Sequence, residues 1–511
     1  MKSACGVLFF AMLAAPLHAG ATFDLVLANG RVIDPESGLD AIRHVGIRKG
    51  KIAAVSKTPL KGMETIDATG FVVAPGFIDL HAHGQELLAA RVQAFDGVTT
   101  HLELEAGTLP VTAFYDSRAK EGRPIHYGAA AGWAHARVAV MHDLEPDASP
   151  RFMLKAFALP GWTQRLATEA QVAKILARLE GGLKEGALGI GMLAGYAPGF
   201  GQKENYLVHK LAAKHGVTTF IHIRYMGAIE PESSFAAYQE VVAMAASTGA
   251  RVHICHFNST SLRDIEICAR LIADAQKRGV KISTEAYPYG TGWTGINAAF
   301  LTKPDWRERM GMDYGDLIYL KTGERLTKKR VEELRKSDPG GSVLLRFLDP
   351  DGKPGDQELL DRSVLFPGGA IASDSGDWEI DGVPVGGDVW PIPEKAKAHP
   401  RAAGTFCRML GRYVRERKAL TLSDAIRRCS LIPARVLEES VPQMKHKGRI
   451  KEGADADLIV FDAEKVGDRA TFEKPGQPSV GMRQVIVMGT PVIRNGELVR
   501  TALPGQAIRR K

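Results

Sequence analysis

Two histidines one residue apart, His81-Ala82-His83, close the run Phe77-Ile78-Asp79-Leu80 after a Pro75-Gly76 turn. Alternate side chains of a strand face the same way, so His81 and His83 point together and can hold one cation. Imidazole nitrogens suit zinc or another borderline metal. Two more histidines end apolar runs downstream: His222 after Thr219-Phe220-Ile221, and His256 after Val252-His253-Ile254-Cys255. His253 competes with His256, but three residues earlier it faces the other side of the strand. Asp374 follows Gly369-Ala370-Ile371 in Ala372-Ser373-Asp374-Ser375-Gly376. Beside a metal, its carboxylate can take a proton from water and pass it to a leaving amine. Singly, each feature is as readily structural: core histidines, a turn aspartate. Their recurrence at the ends of apolar runs is what marks a site.

The elements that must position these groups alternate. Apolar runs at 76–80, 98–104, 187–192, 218–222, 251–256 and 281–287 are separated by helical stretches, among them 168–185, 206–215, 233–248 and 262–277. This is the pattern of parallel strands with crossover helices, and its count fits an α/β fold, a (β/α)8 TIM-like barrel. β-patterns occupy both ends of the chain. Residues 23–33 read as a hairpin turning at Asn29-Gly30, 44–56 as a pair turning at Lys49-Gly50-Lys51, and 65–73 as a further strand. A strand at 456–461 and a hairpin about Gly489 follow at the far end. Residues 22–73 with 447–503 are therefore expected to form a small β-sandwich domain, and 74–446 the barrel. The charged, Gly- and Pro-containing segment 304–366 reads as an insertion near the barrel mouth, a candidate lid.

Composition narrows the class. The chain has 511 residues, 45% hydrophobic and 24% charged, with a formal net charge of +8. That is a globular composition. The mild basic excess permits anionic small molecules, and without interleaved basic and aromatic residues it argues against a nucleic-acid partner. Lys2, the apolar run 6–15 and the small residues Ala19-Gly20-Ala21 are expected to form a signal peptide over 1–21. The run is too short to span a bilayer. The mature protein is then exported, periplasmic or secreted, with no membrane partner. Cys255, Cys268, Cys407 and Cys429 contain no C-x-x-C pair, and no disulfide is assigned.

Taken together, the clusters resemble the amidohydrolase superfamily over nearly the whole mature chain. Several stretches are similar to its D-aminoacylase group, the N-acyl-D-amino-acid deacylases, N-acyl-D-glutamate deacylases included. They are Gly186-Ala187-Leu188-Gly189 leading to Tyr196-Ala197-Pro198-Gly199, His222-Ile223-Arg224, Glu285-Ala286-Tyr287-Pro288-Tyr289, and His399-Pro400-Arg401 with Gly404-Thr405-Phe406. The resemblance implies hydrolysis of an N-acyl-D-amino acid at one or two Zn2+ ions. It implies that His222 and His256 hold the tightly bound zinc, that His81 and His83 complete the histidine set, and that Asp374 is the proton shuttle. Tyr287 and Arg401 would bind the substrate carboxylate, and Tyr196 and Arg224 lie in motifs that would add further substrate contacts. For Arg401 alone a surface ion pair is an equal reading.

Two departures stand out. The group offers a Cys ligand on strand two, where this chain reads Leu102-Glu103-Leu104-Glu105-Ala106-Gly107. Glu105 is the expected replacement ligand and Glu103 its rival, and an oxygen donor is harder than a thiolate. Trp293 stands where the group places a small hydroxyl residue. Residues 188–194 contain no Lys, so the carboxylated-lysine bridge of hydantoinase-like branches is absent. Two other readings stay open: the same site acting on another small amide, such as a dipeptide or cell-wall fragment, and an exported binding protein on a dead barrel.

Overall fold

A computed structural model describes residues 22–149, 152, 153, 156, 159 and 161–510; the expected signal peptide lies outside the described residues. Eight parallel strands follow one another around the barrel in chain order: Phe77–Asp79, Val98–Thr108, His126–Gly132, Gly189–Leu193, Thr218–His222, Arg251–Ile254, Ile282–Ala286 and Ala370–Ile371. Their side chains are buried almost throughout, as expected for parallel strands covered by helices on one face and packed against each other on the other. The outer helices begin where local chemistry directs. Thr168 and Gln171 form a capping box at Glu169–Lys184, whose Val172, Ile175, Leu179 and Leu183 face inward. Ser233 accepts from Ala236 N at the start of Ser234–Thr248.

The first and eighth strands are joined by side chains as well as backbone. Ala82 bridges Ser375, and Gly84 N donates to Ser375 O at 2.9 Å. Asp79 accepts from Ser373 N at 3.0 Å, His81 N at 3.1 Å and Gln93 Nε2 at 2.8 Å. This one buried carboxylate therefore stitches the two strand ends that carry His81 and Asp374.

The two chain ends close one β-domain, joined where Val72–Pro75 runs antiparallel to Leu458–Phe461. In hydrogen bonding it is a single nine-stranded sheet rather than two separate layers. The expected hairpin at Asn29-Gly30 does not form. Phe23–Asp34 is one continuous strand with a bulge between Leu27 and Gly30, and Asn29 takes a left-handed φ of 59°. An Asn with positive φ serves a bulge as well as a turn. The turn at Lys49-Gly50 is present, both residues having positive φ, as is the one at Met488-Gly489.

Two expected boundaries shift. The inserted unit starts earlier, because Thr291–Gly295 forms a three-stranded sheet with Leu317–Tyr319 and Ser342–Arg346. It ends earlier too, since Asp356–Val364 packs against the barrel helix Ile265–Lys277 as a crossover helix. The last residues leave the β-domain and close the barrel floor. Ile508 N donates to Tyr127 O at 2.8 Å, and the Ile508 side chain packs with Leu102, Leu188 and Phe220. All four cysteines among the described residues are buried and free.

Candidate metal centre

The carboxyl ends of the strands bring His81, His83, Glu105, His222, His256 and Asp374 together. Glu105 lies at the middle. Its Oε1 is 2.7 Å from His256 Nε2 and 3.2 Å from His222 Nδ1. Its Oε2 is 3.3 Å from His81 Nε2 and 3.5 Å from His83 Nε2. Asp374 Oδ1 caps the second pair, 3.4 Å from His81 Nε2 and 3.5 Å from His83 Nε2. His256 and Asp374 both occupy left-handed backbone, with φ of 32° and 51°, a strain that the surrounding packing has to impose.

These donors fit a metal ion better than they fit each other. Glu105 Oε1, both ring nitrogens of His222, and His256 Nδ1 are buried and make no hydrogen bond. Glu105 Oε1 is near two imidazoles yet bonded to neither, as when lone pairs converge on a common point. Metal bonds of about 2.1 Å place tetrahedral donors about 3.4 Å apart, close to the 3.3–3.5 Å that separate the Glu105 and Asp374 oxygens from His81 and His83, whose own Nε2 atoms are 3.0 Å apart. Burial disfavours the charged forms of His81 and His83. The carboxylates around them outweigh it and raise both well above the usual histidine range. Burial likewise opposes charge on Glu105 and Asp374. His81, His222 and His256 hold Glu105 low, and Arg401 with His81 holds Asp374 low. A bound cation would take over this role and release protons.

The choice between Glu103 and Glu105 turns on a bulge. Strand two loses register with strand three between Glu103 and Thr108, lifting 104–107 out of the ladder. Glu103 Oε1 accepts from the bulge amides Ala106 N and Gly107 N at 3.2 and 3.3 Å, and its Oε2 meets His83 Nδ1 at 2.8 Å. Glu103 thus orients a histidine, while the bulge carries Glu105 between the two histidine pairs. Gly107 has φ 62°, and a Cβ there would meet Ala130 O at 2.7 Å.

A second set of residues, unassigned from sequence, fixes the ring of His81. Its Nδ1 meets Glu285 Oε1 at 2.5 Å. Glu285 Oε2 meets His253 Nε2 at 3.0 Å, and His253 Nδ1 meets Ser283 Oγ at 2.8 Å. A carboxylate on Nδ1 holds the proton there and leaves the Nε2 lone pair for a metal. His253, the rival of His256, therefore serves this relay on the same side as His81, not on the other side of the strand as expected; His256 follows the strand end at Ile254, in left-handed backbone. The signal for Glu285 was its place at the end of an apolar strand.

The expected substrate residues separate. A cavity of about 270 Å³ opens over His83 and Glu105, lined by Tyr196, Trp293, Arg401, Asp374 and residues of the inserted unit. Arg401 donates from Nη2 to Asp374 Oδ2 at 2.9 Å and stacks 4.5 Å from the Tyr287 ring centroid, while its Nε and Nη1 have no partner. Tyr287 lies behind this guanidinium, and burial pushes its hydroxyl up to about 12. Tyr196 bonds Thr294 of the inserted unit at 3.0 Å and lies edge-on to His222. Arg224 does not face the cavity. Its guanidinium is committed to Glu240 and to the carbonyls of Pro198 and Phe200, so it braces the turn after Tyr196 instead of contacting a substrate.

Comparison with known proteins agrees with this architecture. An N-acyl-D-glutamate deacylase of Alcaligenes xylosoxydans xylosoxydans is 28% identical over 529 residues, covering 95% of this chain and 96% of its own. A D-aminoacylase of the same organism is 27% identical over 516 residues, covering 92% and 94%. The crystal structure of an N-acyl-D-glutamate deacylase from Bordetella bronchiseptica, complexed with zinc and a phosphonate inhibitor, superposes with a TM-score of 0.73 at 23% identity over 96% of this chain and all of that one. A D-aminoacylase structure gives 0.75 at 23% identity over 96% of this chain and all of that one. The model of the amidohydrolase family matches residues 64–267 and 254–493, and the chain belongs to that family.

Proposed function

We propose that the protein hydrolyses the amide bond of N-acyl-D-amino acids, giving a D-amino acid and a carboxylate, with zinc held by His81, His83, Glu105, His222 and His256. The observation that carries this is the Glu105 carboxylate lying between two histidine pairs, with Asp374 beside one pair and bonded to Arg401. The deacylase names of both relatives supply the substrate class. A divalent metal, when bound, acidifies water and polarises a carbonyl. Asp374 Oδ1 faces the histidines and is placed to accept the water proton; its other oxygen stays on Arg401 and fixes the carboxylate plane. The same Oδ1 then returns the proton to the leaving nitrogen. The unpartnered Nε and Nη1 of Arg401 are left for the substrate carboxylate. Export, with residues 1–21 as the leader, belongs to the same proposal and is supported by Lys2 and the apolar run after it.

The test is metal analysis beside a chiral assay on N-acetyl-D- and N-acetyl-L-amino acids. Stoichiometric zinc with D-selective release is the expected result. Bound metal without D-selective release would leave an amidohydrolase of another small amide, and neither metal nor turnover would leave a binding protein.

A further inference from the structure

One wall of the active-site cavity carries a buried cation that the chemistry above does not use. Arg118, on the helix Val111–Glu121, lines the cavity and is only 9% exposed. Its Nη1 donates to the neighbouring Ser117 Oγ at 2.9 Å, and its guanidinium lies 4.8 Å from the Phe114 ring centroid. Its Nε has no partner. Among the described residues it forms no ion pair; Glu86, Asp377 and Glu121 act on it only at a distance. Thr108 Oγ1 and His135 Nδ1 are also buried, unpartnered, and on residues lining this cavity. Elsewhere the fold pairs its buried arginines: Arg137 with Glu204 and Arg224 with Glu240. A buried, unpaired guanidinium is costly, and fixed donors around a cavity gain when an anion arrives.

We infer that Arg118, with Thr108 and His135, forms an anion subsite for a second carboxylate of the substrate, distinct from the carboxylate held at Arg401. The apolar Phe114 and Met153 on the same wall suit the methylene arm carrying it. This inference rests on the deacylase reading and narrows it to dianionic substrates. The second carboxylate belongs either to an acidic D-side chain or to a dicarboxylic acyl group.

Two substrate pairs separate these sources in the zinc-loaded enzyme: N-acetyl-D-glutamate against N-acetyl-D-glutamine, and N-succinyl-D-alanine against N-butanoyl-D-alanine. The dianionic member of one pair is expected to lead in kcat/KM by about tenfold or more, the scale of a charge-assisted bond. Arg118→Met is expected to remove that lead through KM. It is also expected to melt no lower than the wild type, since an unpaired buried charge is lost. If the Met variant fails to fold, Arg118→Lys, which keeps the charge but not the fork, reads the same ratio and should diminish it. No lead in either pair, or a lead that survives substitution, overturns the subsite. Should no N-acyl-D-amino acid be turned over at all, the deacylase reading fails separately. Glutarate raising the melting temperature of the wild type but not of Arg118→Met would then still support the subsite, and no shift in either would overturn it.

Discussion

Arg401 holds Asp374 from the side away from the histidines. Nη2 meets Oδ2 at 2.9 Å, leaving Oδ1 3.4 Å from His81 Nε2. One carboxylate oxygen is thus an anchor and the other is free to work. Asp374→Asn keeps the shape and removes the base. It should retain metal and lower kcat by about 10²- to 10⁴-fold, read by metal analysis and steady-state kinetics on one preparation. A loss below tenfold with metal in place would remove Asp374 from the proton path.

Glu105 and Glu103 differ by two residues and should differ in kind. Glu105→Ala takes an oxygen from both histidine pairs and is expected to abolish stoichiometric metal. Glu103→Gln leaves the donor set intact and only loosens His83, which should weaken affinity about 10- to 100-fold. Competition with a chelator measures both. Equal losses in the two variants would contradict the division of roles.

The sequence showed the histidines and Asp374 because each ends an apolar run, and the barrel puts strand ends on one face. It did not separate Glu103 from Glu105, because alternation treats them alike and the bulge that distinguishes them is a register event with strand three. Strand three itself, His126–Gly132, reads His-Tyr-Gly-Ala-Ala-Ala-Gly and lacks the β-branched residues that announce a strand. Asn29-Gly30 misled for a related reason: the pair permits positive φ, but whether the chain then reverses depends on its neighbours. Arg224 sat in a motif beside His222, and only the structure shows that Glu240 and two carbonyls occupy it.

Glu285 tests the orienting relay. It is fully buried, and although burial opposes its charge, His81 and His253 hold its carboxyl down at about 2. Glu285→Gln keeps a hydrogen-bond partner but no longer favours a proton on His81 Nδ1. Metal affinity should fall about 10- to 100-fold while secondary structure by circular dichroism stays unchanged. Unaltered affinity would leave the relay a purely structural feature.

The link between barrel and β-domain predicts the acid limit of stability. Asp457 meets Lys447 Nζ at 2.6 Å and His126 Nε2, on the third barrel strand, at 3.1 Å. Burial pushes its carboxyl up, but Lys447 and His126 outweigh that and hold it far below the usual range. A carboxyl depressed by folding contributes stability above its unfolded pKa of about 3.9 and loses it as pH falls below that value. Lys447 is raised, its neighbouring aspartates overcoming burial, so its contribution persists at every pH below the usual lysine range. Unfolding midpoints should therefore hold through neutrality and decline below about pH 4. Asp457→Asn leaves the buried ammonium with Asp455 alone, 2.9 Å away, and should cost about 1.5–3 kcal/mol at pH 7 and about 1 kcal/mol less at pH 3, where the unfolded chain's aspartate takes up a proton while the folded one stays ionised. Denaturant unfolding of both proteins across that range, each zinc-loaded, measures the gap, and a gap as wide at pH 3 as at pH 7 would show that Asp457 acts through packing and not through its charge.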